Sequence, residues 1–101
     1  MNKAVTWSLL AQKDLRRIKR FYDQRNQSLN YSNKLLKTFR DAAKLIEKYP
    51  NASIRTDFEN VRGFIILDYI LFFEILDDHI LILMVWDCRR DPDQIKRNLK
   101  R

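Results

Sequence analysis

The chain contains one glycine, one cysteine, one histidine and two prolines in 101 residues, and each scarcity closes off a class of chemistry. A lone Gly63 cannot build a glycine-rich phosphate loop. Cys88 has no second cysteine to oxidise with, so an internal disulfide is excluded. His79 is the only imidazole, which leaves no Cys/His set at zinc spacing, and neither a metal nor a cofactor is expected. Long apolar runs are missing as well. The most apolar window, Phe64 to Trp86, is broken by Asp68, Glu74, Asp77, Asp78 and His79, too short and too charged to cross a bilayer. No charged start followed by an apolar run and a small-residue cleavage site opens the chain, so a soluble, cytoplasmic protein with no membrane partner is expected.

What is present is enough for one modest core. Hydrophobic residues make up 46% and aromatics 12%, which at this length predicts a single domain over residues 1–101. The net charge is +7, and it is unevenly placed. Residues 1–49 carry 12 Lys/Arg against 4 Asp/Glu, whereas residues 50–101 carry 8 against 9. The cationic half is compatible with nucleic acid, an acidic protein or an anionic surface, although a solvated basic face is the simpler reading.

Periodicity orders the elements. Lys3 to Trp7 alternates like a short edge strand. Ala11, Leu15, Ile18 and Tyr22 then recur at helical spacing among basic residues, predicting an amphipathic helix from about Leu9 to Arg25. After the polar break Asn26-Gln27-Ser28, Leu35, Phe39, Ala42 and Ile46 predict a second helix that ends before Pro50, antiparallel to the first. Residues 50–60 read as a loop. Val61 to Leu67, Tyr69 to Leu76 and His79 to Trp86 form a three-stranded antiparallel meander, with Asp and Asn expected to supply unusual turn dihedrals in the near absence of glycine. Asp91, Pro92 and Gln94 mark the start of a short C-terminal helix as cap, first residue and capping-box partner. Lys96, Arg97, Lys100 and Arg101 follow, near the helix end that favours positive charge. The fold class is α+β: an N-terminal strand, a helical hairpin, a meander and a closing helix.

Candidate chemistry is confined to a few residues. His79 reads as an exposed turn residue rather than a general base, and Cys88 as a strand-end cysteine, although its basic neighbours would favour a thiolate. Along the strand from Tyr69, period two places Ile70, Phe72 and Glu74 on the face opposite Tyr69, Leu71 and Phe73. Both faces are largely apolar, and the two long helices cover only one. The face bearing Ile70 and Phe72 is therefore expected either to await a partner or to lie under the last helix. Arg55, Arg62, Arg89 and Arg90 are expected to converge on one end of the sheet, where guanidinium groups can hold phosphate. Ion pairs with Asp57, Glu59, Asp87, Asp91 and Asp93 are the competing explanation.

Four stretches, taken in order, carry a resemblance: 6-TWSLLAQKDLRRIKRFY-22, Val61-Arg62, 69-YILFFEI-75 with the Asp77-Asp78 turn, and 80-ILILMVWDCRRDP-92. Together they resemble the RelE/ParE superfamily of bacterial toxins from type II toxin–antitoxin systems, of the plasmid-stabilisation type, over nearly the whole chain. The resemblance implies a toxin bound by a cognate antitoxin. RelE-like members cut mRNA on the ribosome with arginine and lysine side chains and often a C-terminal Tyr or His, whereas ParE-like members inhibit DNA gyrase. Arg62 matches the basic residue that opens the meander, and Arg89 or Arg90 the arginine after the last strand. Ile70 stands where RNA-cleaving members carry arginine, and no tyrosine or histidine follows Arg90.

The implied function is that of a ParE-like toxin acting on a protein target such as gyrase, with Ile70, Phe72, Arg89 and Arg90 meeting a partner protein. The alternatives are an mRNA endoribonuclease using Arg62, Arg89 and Arg90 on phosphate with Glu74 as proton acceptor, and a member that retains only antitoxin binding.

Overall fold

A computed structural model describes residues 3–99. The element order is β1 (Ala4–Trp7), α1 (Leu9–Asn26), α2 (Asn30–Lys48), a short 3-10 turn (Pro50–Ala52), β2 (Ile54–Arg55), β3 (Val61–Ile66), β4 (Tyr69–Ile75), β5 (His79–Asp87) and α3 (Asp93–Leu99). The strands form one sheet in the order β1-β5-β4-β3-β2, antiparallel except for β1, which runs parallel to β5 at the edge. The α+β class, the helical hairpin, the meander and the edge position of the first strand are as the sequence predicts. The predicted loop at 50–60 instead contains the 3-10 turn and the two-residue strand β2. Both are too short for any period to register. Lys100 and Arg101, expected at the end of the last helix, lie outside the described residues.

The apolar stripes explain why the hairpin sits where it does. Ala11 and Ile18 of α1 and Leu35, Phe39, Ala42 and Ile46 of α2 face Tyr69, Leu71 and Phe73 of β4 and Ile80, Ile82 and Val85 of β5. Phe39, Leu71 and Phe73 are fully buried, and each contributes about 1.5–3 kcal/mol by leaving water. The opposite sheet face also has a core. Val61, Phe72, Leu83, Met84 and Trp86 form it, with Ile70, Phe58 and Ile95 packed against it. Phe72 is only 5% exposed and Ile70 is half-buried. The expectation that this face waits open for a partner is therefore corrected: the chain covers much of it with Phe58 and with Ile95 of α3. Gly63 lies on this side, where an added Cβ would stand 3.2 Å from Ile70 and 3.4 Å from Ile54.

One irregularity makes the two cores compatible. Register runs Phe72↔Met84 and then Phe73↔Ile82, so Leu83 is an extra residue in β5. The bulge turns Leu83 and Met84 toward the same side, and both join the second core. β1 ends at Trp7↔Ile82, leaving the outer edge of β5 without a strand partner from there on. The start of α1 supplies what the strand no longer does. Ser8 caps the helix by accepting from Ala11 N–H (3.0 Å), and its hydroxyl donates to the Leu83 carbonyl (2.7 Å). Asp14, only 5% exposed, accepts the Val85 N–H at 2.9 Å and an Arg17 N–H at 2.9 Å. Burial holds the Asp14 carboxyl above its ordinary pKa, and the Val85 and Arg17 hydrogen bonds oppose that rise.

Turn geometry departs from the expectation of Asp and Asn. Positive φ occurs at Asn60 (65°), but also at Gln27 (49°) and Leu67 (55°). Gln27 ends α1 in the left-handed conformation, and Leu67 opens the β3–β4 turn while 63% exposed.

Three outcomes follow for stability. Asp14→Ala, which strands a buried N–H, should cost about 2–3 kcal/mol in denaturant unfolding. Asp14 has a raised folded pKa, so the stability it lends is full below the ordinary value of 3.8 and is lost as pH climbs through the folded value. Thermal melts should therefore show Asp14→Asn gaining on the wild type as pH rises from about 4 to 7. Leu67→Asn, which relieves a left-handed leucine, should raise unfolding free energy by about 0.5–1 kcal/mol.

Candidate functional site

The C-terminal half of α1 and the Tyr69 end of the sheet enclose a cleft of about 290 Å³. The β4–β5 register sets Tyr69 opposite Asp87, and α1 brings Tyr22 over them. The Tyr22 and Tyr69 hydroxyls lie 3.4 Å apart. Arg89 closes the chain of contacts. Its Nε and one terminal nitrogen donate to the two Asp87 oxygens, each at 2.9 Å, and that nitrogen also reaches the Tyr22 hydroxyl at 3.2 Å. The Asp87 side chain also accepts the Arg89 backbone N–H at 2.9 Å, so the corner is fixed before any ligand arrives.

These contacts set the ionisation states. The Arg89 hydrogen bond holds the Asp87 carboxyl below its ordinary value. Asp87 in turn raises the Arg89 guanidinium pKa, keeping it charged. The Tyr22 phenol is lowered, first by its hydrogen bond to Tyr69 and also by Arg89. The Tyr69 phenol is raised, chiefly by burial and then by Tyr22. Cys88 is exposed just past the end of β5, and partial desolvation, then Asp87 and Asp68, push its thiol up, the opposite of what its basic neighbours alone would do.

Arg90 has different partners. Its guanidinium lies 4.9 Å from the Trp86 ring centroid and donates to Gln94 Oε1 at 2.8 Å. That contact engages the Gln94 side chain expected to reach back in a capping box. Asp91 does cap, accepting the Asp93 N–H at 3.0 Å. His79 accompanies Asp78 at 2.6 Å at the β4–β5 turn.

The arginines do not converge. Arg62 pairs in register with Arg55 and with Phe73, four residues along β4 from Tyr69, which is about 13 Å of strand. Its side chain is engaged by the 3-10 turn, donating to the Ser53 hydroxyl (2.6 Å) and to the carbonyls of Asn51 (3.2 Å) and Ser53 (3.1 Å). Glu74, opposite Val61 and Leu81, belongs to that same far end. Arg62 and Glu74 thus stand at one end of the sheet and Arg89 and Arg90 at the other. Of the expected ion pairs, Asp87–Arg89 forms at 2.9 Å. Among the described residues no group of His, Cys, Asp and Glu is placed to hold a metal ion, and no helix is long and apolar enough to cross a membrane.

Two important residues escaped the sequence reading. Asp14 falls within the apolar spacing of Ala11, Leu15 and Ile18, and a carboxylate on a core stripe was the signal available. Tyr22 was visible as a core position, but its hydroxyl contacts depend on tertiary packing.

Comparison with known proteins agrees with this architecture. Residues 5–92 match the family model described as the ParE toxin of the type II toxin–antitoxin system parDE. No curated protein matches the chain significantly. Among solved structures, the chain is similar to one from a chromosomal ParDE toxin–antitoxin system of P. aeruginosa, at 17% identity and a TM-score of 0.74, covering 82% of this chain and 92% of that one. It is also similar to one from the RelBE2 toxin–antitoxin complex of Mycobacterium tuberculosis, at 16% identity and a TM-score of 0.56, covering 84% and 96%. With the family model spanning most of a chain that has this strand, helical hairpin and meander, the protein belongs to the ParE toxin family of type II toxin–antitoxin systems.

Proposed function

We propose that this toxin acts by binding a protein target, DNA gyrase, rather than by cutting RNA, and that a cognate antitoxin neutralises it. The observation that carries the reading is the dispersal of the groups a nuclease would need. Attack by a ribose 2′-hydroxyl requires a base, an acid or strong electrostatic substitutes within hydrogen-bond reach of one phosphate. Arg62 is spent on the 51–53 turn, Glu74 lies at that far end, and Arg89 is matched by Asp87. No tyrosine or histidine follows Arg90. A binding mode makes no such demand. The cationic helical hairpin favours approach to a nucleoprotein complex such as gyrase on DNA.

The antitoxin reading draws on both structural neighbours, which come from toxin–antitoxin systems. On this chain the proposed contacts are Arg89 and Arg90, both exposed, and the half-buried Ile70. Phe72 is already covered, so the antitoxin would meet the rim of that second core rather than Phe72 itself.

Inducible expression without antitoxin, followed by mRNA 5′-end mapping and a gyrase supercoiling assay on the same sample, tests the target. Growth arrest with SOS induction, inhibited supercoiling and intact mRNA is expected, and Glu74→Gln should be equally toxic. Cleavage of translated messages would replace this reading with the endoribonuclease. Harmless expression would leave only antitoxin binding. For the second part, titration calorimetry should show weaker antitoxin binding by the Arg89→Gln, Arg90→Gln double variant, and an unchanged affinity would remove those arginines from the interface.

A further inference from the structure

One row of side chains on α1 takes no part in the proposed antitoxin contacts. Along α1, Lys13, Arg17, Phe21 and Arg25 recur every fourth residue, all exposed. Side chains at that spacing stand in one row, with Cβ atoms about 5–6 Å apart. The only acids of α1, Asp14 and Asp23, take no part in the row: Asp14 is buried beneath Val85, and Asp23 pairs with Lys19 and Ser32. Arg17 and Phe21 of the row line the 290 Å³ cleft, together with Arg89 and Arg90, and Lys13 and Arg25 extend the row beyond it.

The chemistry of the cleft is specific. Phe21 is 51% exposed, held edge-on by Tyr22 at 5.0 Å and accompanied by Arg25 at 6.0 Å from its ring centroid. The rest of the lining is Ile18 and Val85, the Tyr22 and Tyr69 phenols, and Asp87, whose charge is matched by Arg89. Arg17 donates one nitrogen to Asp14, yet its side chain is 57% exposed, and a guanidinium has five N–H donors. The site therefore offers a flat apolar ring with cations on both sides. A planar ring that carries anionic groups matches it, and an acidic peptide would leave the Phe21 face without a stacking partner.

We propose that this cleft and the α1 row bind single-stranded nucleic acid, with one unstacked base against Phe21 and flanking phosphates on Arg17 and Arg90. Duplex is disfavoured because its bases are already stacked and unavailable to the ring. The site is distinct from the gyrase reading and does not depend on it. A toxin carrying it would meet a nucleoprotein target where strands are open.

The test uses the purified full chain and a fluorescein-labelled oligothymidylate of about twelve nucleotides, long enough for a site of this size, followed by anisotropy over a range of salt concentrations. Saturable binding that weakens with salt is expected. Phe21→Ala should lose about tenfold in affinity, the scale of one stacked base, with its salt slope unchanged. Arg17→Gln should lower the magnitude of that slope by about 0.7, the value for one phosphate on a single strand. Lys44→Gln, on the exposed surface of α2, should change affinity less than Arg17→Gln. Absence of binding at about 100 µM in low salt, the weak end of non-specific affinity, would overturn the proposal. So would wild-type affinity in Phe21→Ala, an equal loss in Lys44→Gln, or duplex binding as tight as single strand. If Arg17→Gln fails to fold by circular dichroism, Phe21→Ala decides alone. Because gyrase is absent from the assay, failure here leaves the supercoiling result untouched.

Discussion

The structure depends on how the outer edge of β5 is finished. β1 pairs only as far as Ile82, and the bulge at Leu83 follows at once. An edge strand in that state presents unpaired backbone groups, which either recruit another chain or must be satisfied from within. The first turns of α1 do the second, through the Ser8 hydroxyl on Leu83 and the buried Asp14 carboxylate on Val85. The same contacts fix the position and rotation of α1. A helix pinned there turns Ile18 to the core and brings Tyr22 above Tyr69 and Asp87. The burial of a carboxylate is unfavourable alone, so its two hydrogen bonds are what make the arrangement tenable.

The arginine corner inherits its geometry from that placement. β5 delivers Asp87, the turn that follows delivers Arg89, and α1 delivers the Tyr22 hydroxyl that Arg89 also contacts. Arg90, one residue on, is drawn to the Trp86 ring and the start of α3. Adjacent arginines thus acquire different environments because one neighbour is a carboxylate and the other an aromatic. Ion pairing accounts for Arg89 and backbone carbonyls account for much of Arg62, which is why an apparent cluster in sequence separates in space.

Local pattern carried the elements and tertiary context carried the site. The spacing of Leu35, Phe39, Ala42 and Ile46 was enough to place α2, and alternation was enough for β4, because burial of one stripe or face is a local demand. The bulge at Leu83 was not legible, since His79 to Trp86 reads as an apolar run with no break to mark an extra residue. That omission hid how Leu83 and Met84 share a face with Phe72, and hence how the second core closes. The length of β4 separating Arg62 from Arg89 was likewise available only once register was known. A carboxylate at Asp14, placed where the stripe called for an apolar side chain, was the one visible hint of the edge contact.

The chain's two tryptophans fall on opposite sides of the sheet. Trp7 packs against the core beneath the helical hairpin, and Trp86 belongs to the core shared with Ile95 and lies under the Arg90 guanidinium. Each indole therefore senses one layer, so the hairpin and the C-terminal segment carry separate intrinsic fluorophores. A chain that keeps only one of the two indoles therefore reports on one layer alone, without any added label.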